Sequence, residues 1–247
     1  MKLNEYFIEN KNFNKKYRFA IISDLHGSDV SGALERLVAA RPDAIFAAGD
    51  IFERLDGSRQ TKNEMGFLLL REAAAIAPTF YALGNHEIGG AHSYLPRRAY
   101  GAPISEENRA RILETGVTFL ENDFVLFDGI AVGGLTSGSI NEGREPSLSW
   151  LDGFCASDEP KVLICHHPEY YEKYLASKNI DLIVSGHAHG GQWRFFGRGV
   201  FAPGQGLFPR YTSGVYDNRL VVSRGLKKGR VIPRLFNPTE VVVVSLR

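Results

Sequence analysis

Cysteine is almost missing from this chain of 247 residues. Cys155 and Cys165 are the only two, without the paired spacing of a zinc knuckle, so neither a structural zinc module nor an oxidising compartment is demanded. Cys165 lies in an apolar run and reads as a buried thiol acting as a small hydrophobe. Charge of one sign is missing too, since 29 Lys and Arg stand against 28 Asp and Glu, a formal net charge of +1. A surface built chiefly to grip nucleic acid or an acidic membrane needs clustered positive charge, so no nucleic acid is expected as partner and at most a local basic mouth. Residues 1–16 hold neither the apolar core of a signal peptide nor the ~20-residue run of a membrane helix. As it stands, the chain reads as soluble and cytoplasmic. No fixed-period repeat, low-complexity tract or linker interrupts it, and with 44% hydrophobic residues a sizeable core can form. One domain over 1–247 is the expectation.

What is present is a repeated grammar of buried strand and polar loop. Residues 17–23 form an apolar run that stops at Asp24. Ser31 is placed to cap a helix with Leu34, Leu37 and Val38 on one face, ending near Pro42. Residues 44–48 read as a buried strand running into Gly49-Asp50. A second helix, roughly 63–77, sets Met65, Leu68, Leu69 and Ile76 at helical spacing, and a strand over 79–83 then runs into Gly84-Asn85-His86-Glu87. Further strands are expected at 117–120, 124–127, 130–132, 162–165 and 182–184, the last two ending at histidines, and the tail from about Gly191 reads as short strands without helices. In α/β sheets ligands collect beyond the carboxyl ends of strands, so these polar loops are expected to converge.

Five of the seven histidines, His26, His86, His166, His187 and His189, follow apolar strands. Asp24 and His26 stand two residues apart, as do His187 and His189, and in an extended segment such pairs share a face. Carboxylate oxygens mixed with imidazole nitrogens suit Mn, Fe, Zn or Co better than Ca or Mg, which favour all-oxygen shells. Asp50 and Asn85, each after a glycine, complete the set, with Asp50 the natural bridge between two ions.

Together, Asp24-x-His26, Gly49-Asp50, Gly84-Asn85-His86-Glu87, His166-x-Pro168 and Gly186-His187-x-His189 resemble the five blocks of the calcineurin-like metallophosphoesterase superfamily. Gly190-Gly191-Gln192, residues 211–216 and 222–226, and Pro233-Arg234-Leu235 resemble its YkuE-like branch, so the likeness covers nearly the whole chain. The resemblance implies an α/β fold, a four-layer α/β/β/α sandwich of two mixed sheets flanked by helices. It also implies two divalent or Fe-type ions, Mn, Fe or Zn foremost. Asp24, His26, Asp50 and His189 would hold one ion, and Asp50, Asn85, His166 and His187 the other, with His86 catalytic rather than ligating. Related enzymes often orient that histidine with an Asp three residues after the bridging one; here the position is Glu53, one methylene longer. His167 reads as a neighbour that shapes the pocket, and His92 receives no role.

The implied activity is hydrolysis of a phosphomonoester or phosphodiester, with a phospholipid or nucleotide-type substrate in view. Some relatives carry an N-terminal membrane anchor, and membrane association is expected only through such an anchor, which these residues do not contain. No pattern sets an oligomeric state. A nuclease of the same superfamily is the rival enzymatic reading, which the near-neutral charge disfavours; a non-catalytic scaffold for partner proteins is disfavoured because every expected ligand and His86 are present. Arg97, Arg98, Arg194, Arg198, Arg210 and Arg224 crowd the expected rim and tail, mostly as solvated surface. For the aromatics among them, Trp193, Phe195, Phe196, Phe201, Phe208 and Tyr211, packing into core and sheet is the preferred reading over contact with an apolar substrate part.

Overall fold

The computed structural model describes residues 1–55, 60–88, 104–138, 145–229 and 233–247. In chain order the strands are β1 (Lys2–Ile8), β2 (Tyr17–Ile22), β3 (Ala44–Ala48), β4 (Thr79–Ala82), β5 (Thr118–Leu120), β6 (Asp123–Phe127), β7 (Ile130–Leu135), β8 (Lys161–Cys165) and β9 (Leu182–Ser185). Four two-residue strands follow, β10 (Arg194–Phe195), β11 (Arg198–Gly199), β12 (Phe201–Ala202) and β13 (Gly206–Leu207), and then β14 (Gly214–Tyr216), β15 (Leu220–Val222) and β16 (Glu240–Leu246). The helices are α1 (Ser31–Ala40), α2 (Gln60–Ile76), α3 (Glu106–Glu114) and α4 (Leu151–Ala156), with a π-helical turn at Tyr171–Leu175.

Two six-stranded mixed sheets form, ordered β1-β16-β2-β3-β4-β5 and β14-β15-β9-β8-β7-β6. Within them β2 to β5 run parallel, as do β15, β9, β8 and β7. Side-chain alternation along each central strand assigns its residues to different cores. On β2, Phe19 and Ile21 enter the core between the two sheets, while Ala20 and Ile22 face α1 and α2. On β8, Val162 and Ile164 enter that same central core, while Leu163 and Cys165 pack against Leu151 and Phe154 of α4. Three apolar cores therefore separate four layers, helices, sheet, sheet and helices. Strands covered on both faces read as continuous apolar runs, which is why they were legible in sequence.

The helices differ from expectation in detail. Ser31 does not cap α1: Val30 occupies the cap position without a side-chain bond, and the Ser31 hydroxyl donates to Asp29 Oδ2 at 2.6 Å. Leu37 is buried and Leu34 partly so, but Val38 is 61% exposed. On α2 the face against the sheet is Phe67, Leu69, Leu70 and Ala73, continued by Ala77 just past its end, whereas Met65 points outward. Apolar spacing in the sequence allowed either face, and the sheet's position selected one. A strand over residues 4–8, implied by the resemblance, is present as β1, an edge strand of mixed polarity that begins at Lys2. Helices α3 and α4 were not anticipated, and α3 buries only Asn108 and Ile112.

Candidate metal centre

Strands β2, β3 and β4 of one sheet and β8 and β9 of the other deliver their carboxyl-end loops to one place, as the grammar of the sequence implied. Backbone bonds knit the loops: Asp24 N–H donates to Gly49 O at 3.0 Å, and Gly186 N–H to His166 O at 3.1 Å. Other contacts cross between the sheets. His187 N–H donates to Asp24 Oδ1 at 3.0 Å, and His166 Nδ1 lies 2.7 Å from Ala48 O, where it donates.

The paired motifs share a face for a reason other than the one expected. Asp24, His26, Asp50, His187 and His189 all have left-handed backbones, with φ of 52°, 49°, 53°, 64° and 46°. Such angles cost an L-residue about 1–2 kcal/mol each and collect where the surrounding structure enforces a side-chain direction. Space is as constrained as torsion. A Cβ on Gly84 would stand 2.2 Å from Asp50 Oδ1, and one on Gly49 2.6 Å from Gly84 N, so the two glycine–polar pairs fit only because both glycines are bare.

Among the described residues four groups bring ligand atoms within 4.8 Å of one another: Asp24 with His26 and His189, Asp50 with His166 and His187, His26 with Glu53 and His86, and His167 with Glu169 and His187. Asp50 stands among them: its Oδ2 is 3.2 Å from His166 Nε2, 3.6 Å from His26 Nε2 and 3.9 Å from His86 Nε2. His189 Nε2 lies 3.7 Å from Asp24 Oδ1. Buried polar atoms in a folded protein almost always find a partner. Here His26 Nε2, Asn85 Oδ1, His166 Nε2 and His187 Nε2 are buried with no hydrogen-bond partner. An amide oxygen and imidazole nitrogens left unsatisfied beside the carboxylates of Asp24 and Asp50 form a set that suits a transition-type cation, so the residues present fit metal ions.

Electrostatics agrees. Burial holds His26, His187 and His189 below the ordinary imidazole range, leaving them neutral with a lone pair to offer. For His166 burial works the same way, but the Asp50 carboxylate outweighs it and raises the ring to about 10. That proton occupies a position where a bound cation would also neutralise Asp50. Asp50 itself, despite burial, is held well below the usual carboxylate range by His166, His86 and His26.

Residues 17–191 match the family model for calcineurin-like phosphoesterases, a span that contains all five motif blocks. The chain belongs to the calcineurin-like phosphoesterase family. A metallophosphoesterase of Campylobacter jejuni is 26% identical over 252 residues, covering 97% of this chain and 62% of its own length. YpbG of Bacillus subtilis is 31% identical over 137 residues, 53% of this chain and 49% of that one. The Escherichia coli phosphodiesterase YaeI is 26% identical over 198 residues, 72% and 62% of the two chains. The chain thus spans under two thirds of the length of each of these relatives.

In this calcineurin-like phosphoesterase Glu53 does reach the site, despite its extra methylene. It lies between two rings, Oε1 at 3.4 Å from His26 Nδ1 and Oε2 at 3.4 Å from His86 Nδ1, with Lys227 Nζ 3.7 Å from Oε1. His167 is buried, lies 3.0 Å from Glu169 Oε1 through Nδ1, and stacks on Tyr170. His92, Arg97 and Arg98 lie outside the described residues.

Three residues went unassigned at the level of sequence. Glu87 accepts from Asp50 N–H at 2.9 Å, Gly84 N–H at 2.8 Å and Phe52 N–H at 3.0 Å, locking two ligand loops to one carboxylate. Burial and the charge of Asp50 push it up to about 7, against the pull of those N–H donors. Glu169 stands beside His167 and 3.8 Å from His187 Nε2. Arg234 Nη2 lies 3.3 Å from His189 Nδ1. Glu87 and Arg234 stood in quoted motifs without a role, and Glu169 directly follows Pro168 in the His166 loop; what only the fold supplied is the approach of Glu169 to His187 and of Arg234 to His189.

Proposed function

We propose that this chain hydrolyses a phosphomonoester or phosphodiester at a centre of two metal ions. Asp24, His26, Asp50 and His189 would hold one ion, and Asp50, Asn85, His166 and His187 the other. The observation that carries the reading is the meeting of His26, His86 and His166 on one oxygen of Asp50, between two ligand groups. When bound, the ions supply Lewis-acid polarisation of the phosphate and a water acidic enough to attack near neutral pH.

The protein's own groups do the rest. Asp50, with a carboxylate kept ionised, is positioned to serve both ions. His86 projects beside it with its Nε2 toward the centre and its Nδ1 toward Glu53. Burial alone would lower the His86 ring, but Asp50 and Glu53 raise it, so it holds a proton more readily than an ordinary imidazole and is placed to give one to the leaving oxygen. Glu53 orients that ring. The left-handed ligand backbones and the Glu87 clamp fix the geometry in advance, so little reorganisation is required on reaction. The name of the Escherichia coli relative favours a diester over a monoester.

The test is hydrolysis of a generic monoester and a generic diester by metal-stripped protein reloaded with Mn, Zn, Fe, Ni or Mg, beside Asp50→Asn and His86→Ala. The expected outcome is metal-dependent turnover, lost in Asp50→Asn together with bound metal. In His86→Ala turnover falls by roughly 10²–10⁴ while metal content is kept. Turnover by no reloaded protein, or undiminished turnover in His86→Ala, would overturn the proposal.

A further inference from the structure

Charge in this chain is neutral only as a sum. Between Gly191 and Pro238 stand nine Lys or Arg and a single acid, Asp217, a net of +8; the remainder holds 20 basic and 27 acidic residues, a net of −7. The same 48 residues carry eight of the fourteen large apolar side chains that are exposed among the described residues. The packing expected for these aromatics in core and sheet is therefore wrong for most of them, and only Tyr211 is buried. Phe196 is fully exposed at 106%, and Phe208 is 81% exposed.

The exposure has an architecture. The β10–β11 hairpin turns through Phe196 and Gly197, and the β12–β13 hairpin lies next in sequence with Leu207 and Phe208 at its end. Residues 233–236 run alongside: Trp193 bridges to Leu235, and the rings of Phe195 and Phe236 stand edge to face at 6.0 Å. One groove of about 410 Å³ is walled by Arg194, Phe196, Arg224 and Phe236, and another of about 500 Å³ by Arg198, Phe208, Arg210 and Tyr216. Asn237 Nδ2 donates to His189 O at 2.7 Å, so this face borders the metal centre.

Contiguous apolar exposure on this scale marks a surface that meets another phase or partner. A second copy of the chain is a poor occupant, because two faces of the same positive sign repel. Single-stranded nucleic acid matches the charge, but it is gripped by ring faces spaced for bases. Here aliphatic Leu207 and Leu235 share the face with rings that project from hairpin ends. Arg194 is buried and Arg224 pairs with buried Glu240, but Arg198 is exposed, as is Arg210 beside exposed Glu172, and apolar side chains next to these two arginines match the boundary between headgroups and acyl chains of an anionic bilayer.

We propose that the face built from the two hairpins and residues 233–236 docks on an anionic lipid bilayer. Phe196, Leu207 and Phe208 enter the headgroup boundary, and Arg198 and Arg210 meet lipid phosphates. Docking of this kind would place the candidate centre at a membrane surface through the folded domain itself. It does not depend on the hydrolytic reading.

The experiment is co-sedimentation of the full chain with vesicles of phosphatidylcholine alone or mixed equally with phosphatidylglycerol. Two variant pairs accompany it, Phe196→Ser with Phe208→Ser and Arg198→Glu with Arg210→Glu. Binding is expected to the anionic vesicles, weaker by roughly tenfold or more in each pair and weaker in high salt. In a Trp150→Phe background, Trp193 emission is expected to shift to the blue on binding. Failure of the wild type to bind either vesicle, or variants that bind like it, would overturn the proposal. So would preferential capture of a single-stranded oligonucleotide, or self-association of the wild type that the phenylalanine pair abolishes without vesicle binding.

Discussion

At the scale of single residues, the centre depends on groups that are not ligands. Glu87 gathers three backbone N–H groups, those of Asp50 and Phe52 from one loop and that of Gly84 from the loop of Asn85. Glu87→Gln keeps one acceptor oxygen and turns the other into a donor facing N–H groups. At least one buried N–H is then left without an acceptor, at about 1–3 kcal/mol. The expected outcome is a lower denaturation midpoint and a lower metal content per chain, read by denaturant titration and elemental analysis. Gly84→Ala acts more directly, because its Cβ would stand 2.6 Å from Asp50 N as well as against the carboxylate. It is expected to lose bound metal entirely, even where circular dichroism shows the fold retained.

At the scale of elements, helix ends give the sharpest tests. Ser105 caps α3, its side chain accepting from Asn108 N–H at 3.2 Å, with Glu106 and Glu107 in the first turn. Ser105→Ala is expected to cost about 1 kcal/mol, while Ser31→Ala, whose hydroxyl serves only Asp29, is expected to leave the melting temperature near the wild-type value. Arg41 closes α1 with a left-handed backbone at φ 47°. Arg41→Gly removes that strain and is expected to stabilise by up to about 1 kcal/mol, a rise of roughly 2–4 °C by calorimetry. The strands were legible because burial on both faces writes an unbroken apolar run; helix faces were less so, since Val38 and Met65 fit the spacing as well as the residues the sheet selected.

At the scale of the whole molecule, the centre is a seam between the two sheets. Candidate ligands from β2, β3 and β4 meet candidate ligands from β8 and β9 across the end of the central core. Bound ions would therefore hold together parts of the chain up to 165 residues apart, from Asp24 to His189. Chelation is expected to lower the melting temperature, since a cation at a thousand times its Kd contributes about 4 kcal/mol. For a chain of this size that is a fall of roughly ten degrees by scanning calorimetry, reversed on adding Mn or Zn. Asp50→Asn is expected to melt nearer the chelated wild type and to show a smaller drop.

By itself the sequence determined the strand-and-loop order and the identities of the candidate ligands, because those signals are local: an apolar run, a glycine, and a His, Asp or Asn at its end. Tertiary structure alone decided that Glu53 lies between His26 and His86, that Glu87 clamps two loops, and that Arg234 reaches His189. It also decided that Trp193, Phe195, Phe196, Phe201 and Phe208 are exposed while Tyr211 enters a core. Those outcomes depend on distances between segments far apart in the chain and on which faces the two sheets had already covered, and neither quantity is written in any local window.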